Sequence, residues 1–410
     1  MKRKRPLVNV LIIAEVIVLI LLAAVIALGL YTDGDETSDS SYDTDSGQED
    51  NRIESGDSQE DPSSDTADEE AQETSTQSDI YDTIRLTFSD EVEEMLDGMS
   101  EEELAALLFV TTPEELTGVS TATAAGDSTQ SALTEYPVSG LIYRSRNFQG
   151  EDQLTTMLSN TLSYYQEIMG LDLFLIVEEL GGEDASPVAS ALGYDIEDSP
   201  AALAAAGSTS AVTAAASARA EYLSALGFTA VLGPVADAAD GSSDAFDDLT
   251  YGDTPLNAAD YIEADIRALQ SGGILSIVQA FPGVNTATDD YSAYQAAIDA
   301  GASMIQVSSA AASDLTGDES LPAMFSASVT SKLRDEMGFT GLLMTSDLSE
   351  SGYEIEEAVV LAVRAGINLL YTTDDFEIAY EALLSAISSG EITETMLMNA
   401  AGRILTAKLG

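Results

Sequence analysis

The chain has 410 residues, enough for one large domain or two smaller ones, and a formal net charge of −57. It contains no Cys and no His, which excludes disulfides, thiolate chemistry and any use of imidazole as a base or metal ligand. The excess of acid would repel a phosphate backbone, so no nucleic-acid partner is expected.

An apolar stretch over residues 10–31, VLIIAEVIVLILLAAVIALGLY, predicts a transmembrane helix, because it is long enough to cross a bilayer. Lys2, Arg3, Lys4 and Arg5 precede it, and a basic flank stays in the cytoplasm. We therefore expect residues 1–31 to form a cytoplasmic tip and a single-pass anchor in the cell membrane, with the rest of the chain outside. A cleaved signal peptide is the alternative.

Residues 32–79 contain eighteen acidic residues against Arg52 alone, with almost no apolar side chains. Such a segment cannot bury enough surface to offset its ordering entropy, so a disordered acidic linker is predicted. Calcium binding is the minor alternative, since no Asp-x-Asp-x-Asp-Gly loop is present.

From residue 80 to residue 410, short apolar runs alternate with stretches that have helical spacing. Helices are predicted over 152–170, 217–227 and 258–273. Strands are predicted over residues 107–110, 140–143, 173–178, 230–237, 274–279, 304–309, 342–347 and 368–373. Eight strand–helix units in this length favour an α/β fold of the (β/α)8 TIM-barrel type, with an open doubly wound sheet as the alternative.

In such a barrel, chemistry gathers at the carboxyl ends of the strands. The polar residues at those predicted ends are Glu178, Glu179, Asp237, Gln279, Ser309, Ser346 and Asp347. An acid at a strand end points to a site more strongly than an acid on a helix, which usually belongs to a solvated face.

Several motifs in the same order resemble the barrel of glycoside hydrolase family 3, in particular its bacterial β-N-acetylglucosaminidase branch. They are YPVSGLIYRSRNFQ, LFLIVEELGG, LGFTAVLGPVAD, the FPG of residues 281–283, and LRDEMGFTGLLMTSDLSE. The resemblance spans nearly all of residues 88–410. It implies a TIM barrel that hydrolyses O-glycosyl bonds. No metal or cofactor is predicted, because the only candidate ligands in the sequence are scattered carboxylates.

The departures from the family pattern fall on its chemistry. The position of the family's Asp nucleophile is Ser346, and Asp347 corresponds to the second Asp of that pair. The family's acid/base His falls on Ser292, while the Asp that holds it is kept as Asp290. The positions that grip the sugar in the family correspond here to Glu178, Leu249, Gln279, Ala280 and Ser309, none of which keeps the family residue.

These substitutions predict a non-catalytic, exported barrel that binds a glycan or peptidoglycan-derived ligand or serves as a scaffold. The alternative is an active, atypical β-glycosidase in which Asp347 is the nucleophile and Glu178, Glu179 or Asp290 donates the proton. That alternative requires two carboxyl groups about 5–9 Å apart across one cleft. A role in surface charge alone, with no use of the cleft, is a third hypothesis.

Overall fold

The structure, a computed structural model, describes residues 84–239, 244–283 and 290–410. The predicted anchor and acidic linker, residues 1–31 and 32–79, lie outside the described residues. In the part of the chain that is described, no helix is both long and apolar enough to cross a membrane.

Eight parallel strands form the centre of the fold: β1 Phe109–Thr111, β2 Gly140–Tyr143, β3 Phe174–Val177, β4 Ala230–Val235, β5 Leu275–Phe281, β6 Met304–Val307, β7 Leu342–Thr345 and β8 Leu370–Tyr371. Consecutive strands from β1 to β7 pair in parallel, and β1 also pairs with β8. The circle closes where the Thr345 N–H donates to Leu369 O at 2.9 Å and the Asn368 N–H donates to Leu343 O at 3.0 Å. This closure confirms the predicted barrel over an open sheet.

The strands are apolar runs because they are buried on both faces, as a parallel sheet covered by helices requires. All residues of β2, β3 and β7 are buried, and side chains from all eight strands join one hydrophobic core. Of the eight predicted strands, only 140–143 matches exactly, and the other seven extend beyond the observed strand at one end or both. Residue 107 ends a helix, and the strand predicted over 368–373 is reduced to β8.

Helices surround the strands: α1 Asp90–Gly98, α2 Glu101–Leu107, α3 Pro113–Thr117, α4 Asp127–Glu135, α5 Glu151–Met169, α6 Pro187–Leu192, α7 Pro200–Ala205, α8 Thr209–Leu226, α9 Asp244–Asp247, α10 Pro255–Ser271, α11 Ser292–Asp299, α12 Ser313–Thr316, α13 Ala327–Ser331, α14 Ile355–Arg364, α15 Phe376–Ser389 and α16 Glu394–Leu409. The predicted helices are found as α5, α8 and α10. Gly170 and Gly227 end the first two in the left-handed conformation, a common way to end a helix.

A close backbone approach fixes the loop after β3 against β4. Gly233 has a φ of 150°, and a Cβ at this position would lie 2.2 Å from Leu180 Cδ2. Only glycine fits there without displacing Leu180. The packing holds the segment that carries Glu178 and Glu179 at the carboxyl end of the barrel.

Candidate functional site

The carboxyl ends of the strands bring five polar side chains to one surface, which we call the mouth: Arg144, Glu178, Gln279, Ser346 and Tyr371. Arg144 Nη2 donates to Tyr371 Oη at 3.0 Å across the β2–β8 side. Gln279 Nε2 donates to Leu232 O at 3.0 Å and reaches Glu178 Oε1 at 3.5 Å. Glu178 is exposed, as a ligand-binding carboxylate would be.

Arg144 supplies a cation to the mouth. Burial by itself lowers the pKa of Arg144. Tyr371 and the carboxylates of Asp347 and Glu178 raise that pKa by more, so the net shift is upward and the guanidinium stays charged. Burial raises the pKa of Tyr371 to about 12, although Arg144 acts in the opposite direction, so its hydroxyl remains a neutral donor.

Sequence reasoning missed Arg144 and Tyr371. The sequence could have indicated Arg144, because it is the first residue after the predicted strand 140–143. Glu178 likewise follows the apolar residues of the next strand. Tyr371 was assigned to a strand and not to a site. The two residues are 227 positions apart, and their polar atoms meet because β2 and β8 both pair with β1.

Ser346, at the position of the family's nucleophile, is half-buried at the end of β7. Its N–H donates to Val307 O at 2.9 Å and its Oγ donates to the same oxygen at 3.0 Å. A hydroxyl becomes a nucleophile when a neighbouring base takes its proton. Here the proton is directed at a backbone carbonyl of β6, which cannot serve as that base.

Asp347 is 8% exposed, and its carboxylate accepts hydrogen bonds from two loops. Oδ1 accepts from Ser349 N at 3.1 Å, from Ser349 Oγ at 2.6 Å and from Thr373 N at 3.2 Å. Oδ2 accepts from Thr373 Oγ1 at 2.5 Å. The carboxylate therefore joins the loops that follow β7 and β8, which is a structural task.

The adjacent residues Glu178 and Glu179 point to different environments. Glu179 is fully buried, and it accepts from Val188 N at 2.8 Å and Ala189 N at 2.9 Å at the start of α6. Tyr222 Oη also donates to Glu179 Oε1 at 2.8 Å. Burial raises the pKa of Glu179 despite these donors, which lower it. The structure thus places Glu179 away from the mouth, in contrast to Glu178.

Glu179 adjoins a buried ionic network that the sequence did not reveal. Arg219 donates to Glu179 O at 3.0 Å and to Asp265 Oδ1 at 2.9 Å, and its Nε lies 3.3 Å from Glu197 Oε1. Tyr251 Oη donates to Asp265 Oδ2 at 2.6 Å. Burial raises the pKa of Glu197 to about 7, although Arg219 lowers it. This network holds the loop after β3 to α8 and α10.

Most of the remaining predicted site residues serve the local backbone. Buried Asp237 accepts from Ala238 N at 2.8 Å, and exposed Asp290 accepts from Ser292 N at 3.0 Å. The Leu249 N–H donates to Phe246 O at 2.9 Å, and Ala280 O accepts from Tyr294 Oη at 3.0 Å. Ser309 is half-buried beyond β6, and the Oγ of Ser292 is buried. Residues 284–289, between the Phe-Pro-Gly turn and Asp290, are not among the described residues.

Carboxylates are the metal ligands to consider in a chain without His or Cys. Within the described ranges, no group of three or more acidic side chains is arranged to hold a metal ion. The prediction that no metal or cofactor takes part stays a prediction.

Residues 99–407 match the family description "Glycosyl hydrolase family 3 N terminal domain". The chain belongs to glycosyl hydrolase family 3. It is 26% identical over 311 residues to Beta-hexosaminidase LpqI of Mycobacterium tuberculosis, a match that covers 68% of this chain and 78% of that protein. The predicted resemblance is thereby confirmed.

Solved structures of family 3 proteins share this barrel. A β-N-acetylglucosaminidase from Paenibacillus sp. str. FPU-7 superposes with a TM-score of 0.68 at 23% identity, covering 76% of this chain and 62% of that one. A β-N-acetylhexosaminidase from Beutenbergia cavernae superposes with a TM-score of 0.66 at 23% identity, covering 76% of this chain and 99% of that one. The chain thus spans less than two thirds of the Paenibacillus protein. At this level of sequence identity, the structural similarity shows that the fold is shared.

The mouth of the family 3 barrel therefore presents a guanidinium, an exposed carboxylate, an amide and two hydroxyls, from Arg144, Glu178, Gln279, Ser346 and Tyr371. These groups can donate to and accept from the hydroxyls of a sugar. Retaining hydrolysis needs in addition a free carboxylate as nucleophile and a proton donor. Ser346 and Asp347 are both committed to backbone or loop contacts.

Proposed function

We propose that this family 3 protein is a β-N-acetylhexosaminidase-like barrel, held at the cell membrane by residues 1–31, that binds an exported glycan without cleaving it. The ligand would be a glycan or a peptidoglycan-derived fragment containing N-acetylglucosamine. The similarity to a β-hexosaminidase and to β-N-acetylglucosaminidases supports this ligand class.

The main support for the proposal is that Ser346, at the nucleophile position, and the adjacent Asp347 both use their side chains in hydrogen bonds within the protein. Ser346 has no His to activate it, since the chain contains none, and its hydroxyl donates to Val307 O. Asp347 is satisfied by Ser349 and Thr373. Loss of general acid–base help alone removes roughly 10²–10⁴-fold of rate, and loss of the covalent step removes more.

Binding does not require those groups. Arg144, Glu178 and Gln279 present charged and amide groups at the mouth, and hydrogen bonds to charged groups contribute about 1.5–3 kcal/mol each. A small number of such contacts gives measurable affinity for a sugar even when no bond is broken.

The test is to purify the full chain in detergent and to measure turnover and binding in parallel. We expect no release of 4-nitrophenol from aryl β-N-acetylglucosaminides at any pH from 4 to 9, with LpqI as the active control. We expect saturable binding of muropeptide fragments by calorimetry, weakened by Arg144→Ala and by Glu178→Gln. Turnover by the wild-type chain contradicts the non-catalytic proposal, and absence of any binding contradicts the glycan proposal.

The second candidate is the active, atypical β-glycosidase. One observation favours it: Glu178 and Asp347 both act on the pKa of Arg144, so both carboxylates lie near the same guanidinium. If these two groups carried catalysis, Glu178→Gln and Asp347→Asn would each abolish turnover while leaving ligand binding intact. The hydrogen bonds that occupy Asp347 make this the weaker candidate.

A further inference from the structure

A buried group of charged and hydroxyl side chains holds the segment of residues 179–186, which follows Glu178 directly. We call this group the Arg219 network. Its members come from the chain after β3, from α8, and from α10 and the loop before it, and they are Glu179, Glu197, Arg219, Tyr222, Tyr251 and Asp265. The side chains of Arg219 and Asp265 are 2% and 1% exposed, so water screens their charges poorly. Three carboxyl groups therefore share one guanidinium in a poorly hydrated region.

The three carboxyl groups are not equally satisfied by hydrogen-bond donors. Asp265 accepts from Arg219 at 2.9 Å and from a tyrosine hydroxyl at 2.6 Å. Glu179 accepts from two backbone N–H groups of α6 and from a second tyrosine hydroxyl, at 2.8 to 2.9 Å. Among the described residues, the partner of the Glu197 carboxyl is an ion pair, in which Arg219 Nε lies 3.3 Å from Oε1 without forming a hydrogen bond. Hydrogen bonds stabilise the charged form of an acid, so Glu197 is the member that keeps a proton.

The tyrosines and the arginine of the network do not compensate for a change of charge on Glu197. Burial raises the pKa of Tyr222 and of Tyr251, so both hydroxyls stay neutral donors. Burial lowers the pKa of Arg219, but its carboxylate neighbours raise that pKa by more, and the guanidinium stays charged. Burial raises the pKa of Glu197 to about 7, and Arg219 opposes this shift. As the pH rises through this value, the network changes from two carboxylates facing one guanidinium to three.

Glu197 also supports the backbone next to the mouth. The Gly182 N–H donates to Glu197 O at 3.0 Å. A Cβ on Gly181 would lie 2.9 Å from Glu197 Oε1, so the carboxyl group lies directly against the peptide backbone of the 179–186 segment. Both glycines have a positive φ, 91° and 82°, which a residue with a side chain rarely adopts. The contacts with Glu197 therefore help to hold a segment that begins at the residue after Glu178.

Ionised Glu197 has a route to water that Arg219 and Asp265 lack. Its side chain is 14% exposed, against 2% for Arg219 and 1% for Asp265. A carboxylate that meets two others beside one cation gains hydration by turning outward. That movement takes the carboxyl group away from Gly181 and weakens the hold on the segment next to Glu178.

We propose that the Arg219 network is a pH-sensitive switch for the mouth. With Glu197 protonated, the network holds the 179–186 segment and Glu178 in the arrangement that binds ligand. With Glu197 ionised, the segment is released and the affinity for glycan falls. The effect on glycan binding rests on the proposed function, whereas the release of the segment does not. Because the proton and the ligand favour the same state, each strengthens the binding of the other.

The release of the segment is measured without ligand, on the full chain in detergent. The chain contains no Cys, so one introduced Cys carries a nitroxide spin label at a single site. Asp184→Cys places the label on an exposed position of the 179–186 segment, and Glu319→Cys places a control label on the exposed loop after α12. We expect the mobility of the label at position 184 to increase several-fold between pH 6 and pH 8, and that of the control label to stay unchanged. Equal mobility of the first label at the two pH values overturns the proposal.

Three substitutions in the labelled chain assign the change to Glu197. Glu197→Gln keeps the shape of the protonated acid and cannot ionise, so the label at position 184 should stay immobile at both pH values. Asp198→Asn removes an exposed neighbouring acid and should leave the transition where it is. Asp265→Asn removes a competing carboxylate and should move the transition to lower pH, which gives an answer even if Glu197→Gln does not fold. A transition that persists in Glu197→Gln, or that Asp265→Asn leaves in place, contradicts the switch.

The link to the mouth is measured by calorimetry with muropeptide fragments at pH 6 and pH 8. We expect several-fold weaker binding at pH 8 for the parent chain, and equal binding at the two pH values for Glu197→Gln. Binding that does not depend on pH, while the spin label responds, refutes the link between the network and the mouth. Absence of binding at both pH values refutes the proposed function, and the spin label still decides whether the segment is released.

Discussion

The substitution Asp347→Asn distinguishes a structural role of Asp347 from a catalytic one, because the two roles predict different effects on stability and turnover. Its carboxylate is 8% exposed and joins the loop after β7, through Ser349, to the loop after β8, through Thr373. Asp347→Asn keeps the shape of the side chain and removes its charge. A structural role predicts lost stability with no change in turnover.

The magnitude follows from the four hydrogen bonds that the carboxylate accepts. Bonds to a charged acceptor contribute about 1.5–3 kcal/mol each, against about 0.5–1.5 kcal/mol for neutral pairs, and contributions within one network are not additive. The amide keeps one accepting oxygen and places an NH₂ where Thr373 now donates. We therefore expect Asp347→Asn to lower the free energy of unfolding by about 2–4 kcal/mol.

The assay is urea denaturation at pH 7, together with the aryl glycoside assay on the same preparations. Asp318→Asn is the matched control, because Asp318 accepts from Ser320 N at 2.8 Å and from Ser320 Oγ at 2.7 Å, as Asp347 does from Ser349, but it is exposed. The control should be almost unchanged in stability, since water replaces its lost contacts. An unchanged denaturation midpoint for Asp347→Asn, with loss of a measurable wild-type turnover, would refute the structural account.

Three further substitutions test the packing behind the mouth. Arg219→Met removes the one cation of the buried network and should cost about 3–5 kcal/mol in urea denaturation, because it leaves buried acids unpaired; a change below about 1 kcal/mol would contradict this. Burial raises the pKa of Glu197 from its ordinary 4.5 to about 7, so the folded state holds a proton that the unfolded chain releases, and stability should fall as pH rises through that window. Glu197→Gln should flatten this pH dependence and gain up to about 3 kcal/mol above pH 7, whereas an unchanged pH profile would count against the network. Gly233→Ala should destabilise the fold by about 1–3 kcal/mol because its Cβ meets Leu180 Cδ2, and Leu180→Ala in the same chain should recover part of the loss, as thermal melts would show.

The barrel was predictable because each parallel strand is buried on both faces and therefore reads as a continuous apolar run between helical stretches. The strand predicted over 140–143 is found as β2, and the strand predicted over 304–309 is found as β6, which ends at Val307. Boundaries were less predictable where an apolar run continues into another element. Residue 107 is as apolar as the strand that follows it, yet it ends α2, and the last strand keeps only Leu370 and Tyr371.

The sequence by itself determined the class of barrel, the family motifs and the absence of every imidazole, because these depend on residue identity and on periodicity along the chain. The tertiary structure decided which side chains meet. It turned Glu178 to the mouth and the adjacent Glu179 into a buried network, and it joined Arg144 to Tyr371 across the closed sheet. Hydrogen bonds and ion pairs require two groups to lie within a few ångströms of each other. The sequence separation of two residues determines their distance within one helix or strand, but it does not determine their distance across a barrel.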